Sequence, residues 1–330
     1  MGSRGQVIAR RGRSISAVTA AAVMLTLTAP VWMPIAAAVD VLRGARRLPR
    51  TRLLVFAVGW SWLEVVAMLA ASGLWVVGQR NNRAAHYRLQ RWWTGQLMRL
   101  ITVTTGKCVE VEGVDVLQPG PVVLLARHAS LGDSLVTAWA VSFVGGLRPH
   151  FVLKRELLAV PSLDVVGNRL PNHFLDRGAA DSNTELAALR SMSAALGDGD
   201  AAIIFPEGTR TSASKRASAL TRIRSTDPQR AERMSALRWL LPPRPRGAQA
   251  LIDGNPAAAV VAMWHTGFDG FDTFGGMIRQ LSKPPVPIRI HFVAVNRLTV
   301  ATGGSTAFDE LWLDLDRRVD ESLAITGGSS

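Results

Sequence analysis

Two short segments carry the residue types that proton transfer and anion binding require. The first is Arg127-His128-Ala129-Ser130-Leu131-Gly132-Asp133, directly after the apolar run PVVLLA of Pro121 to Ala126. A histidine exchanges protons near neutral pH, and a carboxylate five residues on can hold its tautomer and stabilise the imidazolium. His128 is thus a candidate general base and Asp133 its support, although H-x4-D alone also describes a surface histidine followed by a helix cap. The chain has no G-x-S-x-G elbow, so the hydroxyl that His128 would activate is one brought by a substrate. The second segment is FPEGTR, Phe205 to Arg210, again after an apolar run. Gly208 permits a turn and close approach of backbone to ligand, Arg210 offers the planar fork that suits phosphate, and Glu207 can orient groups around it. FLDR (Phe174 to Arg177) and LKREL (Leu153 to Leu157) add Arg177, Lys154 and Arg155 as further cationic contacts. Each of these is more often a solvated charge when taken singly, but with Arg210 they make an anion site.

Such residues need strands to hold them. Short apolar runs predict strands at Pro121 to Ala126, His150 to Leu153, Ala201 to Phe205, Ala257 to Met263 and Pro287 to Val295. Helical spacing predicts helices over Ser130 to Phe143, Ser182 to Leu196, Gly247 to Asp253 and Phe308 to Ala324. This alternation is that of an α/β layered fold, and the unbroken apolar strands imply burial on both faces. Thr211 to Arg233 reads as a basic surface insertion with a helix near its end.

The N-terminal part is different in kind. Ser14 to Val39 carries no charge and Leu53 to Gln79 only Glu64, so each run reaches the roughly 20 residues that cross a bilayer. Pro30 and Pro34 predict a bend in the first helix. Every flank is basic, with five arginines from Arg43 to Arg52 between the runs. Two crossings would place those arginines outside, whereas a hairpin dipping into one leaflet keeps every flank on one side. Both geometries return the rest of the chain to the cytoplasm. Asn82 to Ile101, rich in Arg, Trp and Leu, predicts a helix that lies at the interface or packs on the domain that follows. The expected division is residues 1–100 as a membrane-anchoring hairpin with an interfacial helix, and residues 101–330 as a catalytic domain.

The formal net charge of +13 is compatible with anionic lipid or nucleic acid. The apolar runs favour a membrane surface, and no finger spacing, RNP-like motif or heptad supports nucleic-acid readout. Cys108 is the only cysteine, which excludes an intrachain disulfide and a cysteine-based metal cluster.

The motifs His128-x4-Asp133, FLDR and FPEGTR, in this order and spacing, resemble the blocks of the glycerolipid (1-acylglycerol-3-phosphate) acyltransferase family from about Thr102 to Asn296. LLPPRPRG (Leu240 to Gly247) and the basic insertion are similar to the subgroup holding lysocardiolipin acyltransferases. The resemblance implies an α/β acyltransferase fold in which His128 deprotonates an acceptor hydroxyl with support from Asp133. It further implies that Arg177, Glu207, Gly208, Thr209 and Arg210 bind glycerol phosphate. The implied acceptor is a lysophospholipid, first 1-acylglycerol-3-phosphate. Its donor would be acyl-CoA or acyl carrier protein, with no metal or other cofactor, and the catalytic domain would face the cytoplasm on the cell membrane. Lysocardiolipin or a glycolipid as acceptor, and a lipid-binding scaffold without turnover, are the alternatives. Two positions depart from the family pattern: Arg127 stands where Asn is common, and Pro171 where Gly is common.

Overall fold

In the computed structural model, residues 4–130, 132–175 and 182–327 are described, and they contribute seven strands to one sheet. The strands are β1 (Val109–Glu112), β2 (Val122–Ala126), β3 (Arg148–Lys154), β4 (His173–Leu175), β5 (Asp200–Ile204), β6 (Ala259–Thr266) and β7 (Ile288–Val295). Their order is β1-β7-β6-β2-β5-β3-β4. β2 pairs in parallel with both β5 and β6, and β5 with β3, while β7 runs antiparallel to β6. The carboxyl ends of β2, β5 and β6 therefore open on one end of the sheet.

Burial follows the sequence pattern. Every residue of β2 and β5 is buried, as continuous apolar runs covered on both faces demand. β7 begins by alternating buried and half-buried positions, the signature of a strand with one better-covered face. β1 and β4 were not expected. Val109–Glu112 alternates Val with Glu, and His173–Leu175 is three residues long, so neither forms an apolar run.

The chain divides into two compact units. One comprises Cys108–Val152, Arg177–Asp272 and Val286–Ser330. Its helices include α5 (Asp133–Trp139), α7 (Ser182–Ala194), α8 (Ala213–Arg224), α9 (Pro228–Met234), α10 (Pro245–Gly254), α12 (Arg297–Thr302) and α13 (Gly304–Gly327). The helix expected from Ser130 starts later, at Asp133, whose carboxylate accepts the Ser130 N–H ahead of the first turn. It passes into a π turn over Ala140–Val144. The basic insertion contains two helices, α8 and α9, separated by an Asp227 cap whose side chain accepts from the Arg230 N–H.

The other unit comprises Met1–Lys107, Leu153–Asp176 and Thr273–Pro285. Its helices include α1 (Arg4–Leu27), α2 (Ala29–Leu42), α3 (Pro49–Val76), α4 (Arg83–Thr105), α6 (Pro161–Val165) and α11 (Phe274–Ser282). α1 and α2 meet at a bend of 73°, beside Pro30, which lacks the N–H for a continuous ladder. α3 is long and apolar enough to cross a membrane by length and composition, and the bent pair passes the same test together. Polar clamps tie this unit internally. Glu64 on α3 is fully buried and accepts from Ser162 N (3.0 Å) and Oγ (2.9 Å), while Arg10 and Arg11 of α1 converge on buried Asp164. Around them Ala67, Met68 and Ala71 pack with Val166 and Leu170.

Candidate active site

The sheet's register assembles the site. Ala126 of β2 is level with Met263 of β6, and Leu125 with Ile204 of β5. The Arg127 N–H continues the β2–β6 ladder to the Met263 carbonyl at 2.9 Å. His128 and His265 thus each stand two residues beyond level positions on adjacent strands, and Glu207 three beyond Ile204. All lie at carboxyl strand ends, where α/β sheets present ligand-binding groups.

His128 Nδ1 lies 2.8 Å from Asp133 Oδ2, with the histidine side chain 15% exposed and the aspartate fully buried. Asp133 also accepts from the Ser130 N–H at 2.8 and 2.9 Å and from the Ser130 hydroxyl. His265, not counted among the expected site residues, brings Nε2 to 3.0 Å from Asp133 Oδ1 and is 1% exposed. Burial alone would raise the Asp133 pKa, but the imidazoles of His265 and His128 outweigh it and hold the carboxyl well below the usual carboxylate range. Asp133 is therefore ionised throughout the neutral range. With Nδ1 facing Asp133, His128 keeps Nε2 for an incoming proton.

Glu207 is 1% exposed, and its carboxyl is taken up by the chain itself. Oε1 accepts the His128 N–H at 2.7 Å, and Oε2 accepts Thr211 Oγ1 at 2.7 Å and the Leu241 N–H at 2.9 Å. Burial pushes its pKa up to about 7 against the pull of these donors. The Thr211 N–H donates to the His128 carbonyl at 2.9 Å, so the backbone of His128 is held from both sides. Gly208 turns the chain here with φ +69° and an N–H bonded to Phe205 O at 2.9 Å. The Phe205 ring lies 4.9 Å from that of His128, centroid to centroid.

Arg127 points inward. It is 2% exposed, donating Nη1 to the His265 carbonyl at 2.5 Å and pairing Nη2 with Asp269 at 2.9 Å. Arg210 is half-buried, and its buried Nη1 has no hydrogen-bond partner among the described residues. Thr209 follows Gly208 in the same turn, half-buried. Lys154 ends β3, half-buried, and Arg155 opens the next turn, exposed; both belong to the other unit. Arg177 lies outside the described residues. Among the described residues no group of three or more His, Cys, Asp or Glu is placed to hold a metal ion.

The site sits inside a segment that can be compared as a whole. Residues 108–234 match the acyltransferase family model. The matched segment contains His128, Asp133 and Glu207, whereas His265 and Leu241 lie beyond it. The crystal structure of the 1-acyl-sn-glycerophosphate (LPA) acyltransferase PlsC from Thermotoga maritima is similar at 16% sequence identity and a TM-score of 0.50. The match covers 80% of this chain and 95% of that one, and it shows a shared fold. No curated protein matches the chain.

Beyond the expected residues, the geometry adds His265, Ser130, Thr211 and the Leu241 N–H to the surroundings of His128. The sequence signal for His265 was its place after an apolar run, like His128. The register between the two runs, which makes them neighbours, is not written in either.

Proposed function

We propose that this chain is a membrane-bound O-acyltransferase that moves a fatty acyl group from an acyl thioester to a lysophospholipid, with 1-acylglycerol-3-phosphate as the leading acceptor. The observation that carries this reading is the pairing of His128 with buried Asp133 at the end of β2, with no hydroxyl among the described residues hydrogen-bonded to His128 Nε2 as a nucleophile. The hydroxyl of its own loop, Ser130 Oγ, donates to Asp133 rather than to His128. His128 Nε2 takes the proton of an acceptor hydroxyl while the oxygen attacks the thioester carbonyl. The tetrahedral intermediate collapses with loss of the C–S bond, and the thiolate takes the proton back from the imidazolium. The products are an ester and a free thiol, and Asp133 stabilises the cation between the two transfers.

The acceptor's phosphate is assigned to Arg210, whose buried Nη1 lacks a hydrogen-bond partner among the described residues, an unfavourable state that an anion relieves. Arg177 is proposed to add to this charge, and the turn of Gly208 and Thr209 to shape it. Glu207, tied to three donors of the chain, is proposed to hold the His128 backbone in place. The helices α1 to α3 are assigned to the membrane, with the catalytic segment on its cytoplasmic side.

Purified full-length protein in liposomes, given oleoyl-CoA or oleoyl carrier protein and a panel of lysophospholipids, tests the reading. Preferred conversion of 1-acylglycerol-3-phosphate to phosphatidate supports it. Preferred turnover of lysocardiolipin or a glycolipid replaces the acceptor, and lipid binding without turnover of any donor and acceptor pair replaces the enzyme with a scaffold.

A further inference from the structure

Asp133 is shared between two histidines. His128 Nδ1 meets Oδ2 at 2.8 Å and His265 Nε2 meets Oδ1 at 3.0 Å, so the two imidazoles approach different oxygens of one buried carboxylate. A carboxylate's support for a protonated imidazole depends on the charge it has to share, and a second imidazole N–H brought beside it draws on the same charge. The placement of His265 is itself anchored. Its carbonyl is held by Nη1 of Arg127, the residue next to His128, and Arg127 is fastened by Asp269. The Phe268 ring stands edge-on to the His265 ring at 6.0 Å, centroid to centroid, and both ring nitrogens of His265 are buried without a well-aligned hydrogen-bond partner among the described residues, so Nε2 faces Asp133 at 3.0 Å as a close polar contact. Packing alone would be met by any apolar side chain of similar size. It gives no reason for an imidazole whose Nε2 stands 3.0 Å from a buried carboxylate oxygen.

We propose that His265 is a positioning residue that holds the Asp133 carboxylate from the side opposite His128 and, by drawing on its charge, weakens the grip of Asp133 on the His128 proton. This rests on reading His128 as the general base. The consequence is a base that releases its proton more readily to the departing thiolate. The charged and titratable groups around the pair are Asp133 and Glu207 on the acidic side, Arg127 bridged to Asp269, and the two histidines themselves. Arg127 and Glu207 remain in every variant below, so their contributions cancel in the comparison.

The experiment is a titration of the His128 ring by NMR in full-length, detergent-solubilised protein carrying labelled histidine, with the His128→Ala spectrum as its assignment. Wild type is compared with His265→Phe and His265→Gln. The phenylalanine variant should titrate His128 about 0.5–1 pH unit higher, less than the roughly 1–2 units of a direct hydrogen bond to a charged group, because His265 acts on His128 only through Asp133. The glutamine variant, whose amide N–H can reach Asp133, should restore the wild-type midpoint. If the phenylalanine variant does not fold, His265→Asn, with a shorter side chain than glutamine, carries the same expectation of an upward shift. Unchanged midpoints in folded variants, or a downward shift, overturn the proposal and leave His265 a packing residue. Because the titration needs no turnover, it stands apart from the acyl-transfer assay: a shifted midpoint in a protein that transfers no acyl group would retain the coupling and remove the enzymatic reading.

Discussion

The Glu207 carboxyl gathers donors from three stretches of chain, the His128 N–H, the Thr211 hydroxyl and the Leu241 N–H. Burial raises its pKa to about 7, which places its titration near neutral pH. Below the unfolded value of about 4.3 both states carry the proton. Between that value and 7 the folded chain keeps a proton that the unfolded chain has lost, so stability falls as pH rises and levels off above 7. The change is on the order of 3 kcal/mol. Thermal unfolding of detergent-solubilised protein should therefore show a midpoint that declines from pH 5 to pH 8. Glu207→Gln should lie lower at pH 5, by roughly 1–3 kcal/mol for its mismatched donors, and vary much less with pH. Equal slopes for the two proteins would remove Glu207 as the source. His128 and Glu207 stood out as residues because each comes just after an apolar run, and Asp133 because of its spacing from His128. The partners of Glu207 were not. Leu241 and Thr211 act through a backbone N–H and a hydroxyl, and no residue type marks such a contact.

At the scale of elements, α13 fastens the segment that reaches Glu207. Asp316 on this helix accepts the N–H groups of Arg238, Trp239 and Leu240 at 2.9, 2.7 and 2.8 Å, and the next N–H, of Leu241, goes to Glu207. Arg230 of α9 adds a two-pronged pair with Asp309, also on α13, and donates to the Pro243 carbonyl at 2.9 Å. Asp316→Ala leaves three backbone donors without an acceptor and should cost about 1–3 kcal/mol. Through Leu241 and Glu207 it should also lower turnover at saturating substrate. Asp314→Ala, whose carboxylate pairs with the exposed Arg317 and Arg318 of the same helix, should change stability by less than about 0.5 kcal/mol. Similar losses in both variants would contradict this support. The helix itself was readable from Leu311, Leu315 and Val319 at helical spacing, and β2 and β5 from their apolar runs. Asp316 was not, since a charged residue on an amphipathic helix normally faces water, and here a distant loop covers it.

Across the whole molecule, apolar surface and positive charge occur together in the N-terminal unit. Val31, Ile35, Leu69, Trp75 and Val76 are exposed on α2 and α3, and Arg43, Arg46 and Arg47 stand exposed between these helices. Each exposed arginine near an anionic surface contributes about 1 kcal/mol. Replacing all three by Gln should weaken flotation with phosphatidylserine vesicles more than tenfold and leave the hydrophobic attachment to neutral vesicles unchanged. Equal losses on both vesicle types would point to a folding defect instead. The apolar helices and their bend were plain in the sequence, since length, lack of charge and two prolines suffice. The pairing of Glu64 with Ser162 was not: the run showed a single carboxylate, and its partner lies 98 residues away. The measurement that bears most directly on the account is acyl transfer by wild type and His128→Ala in liposomes, with oleoyl-CoA or oleoyl carrier protein, 1-acylglycerol-3-phosphate as acceptor, and the fold checked by thermal unfolding. The account predicts phosphatidate from wild type and a loss of at least about a hundredfold in the folded variant. Equal product from both proteins would contradict His128 as the base, and product from neither would contradict the proposed reaction.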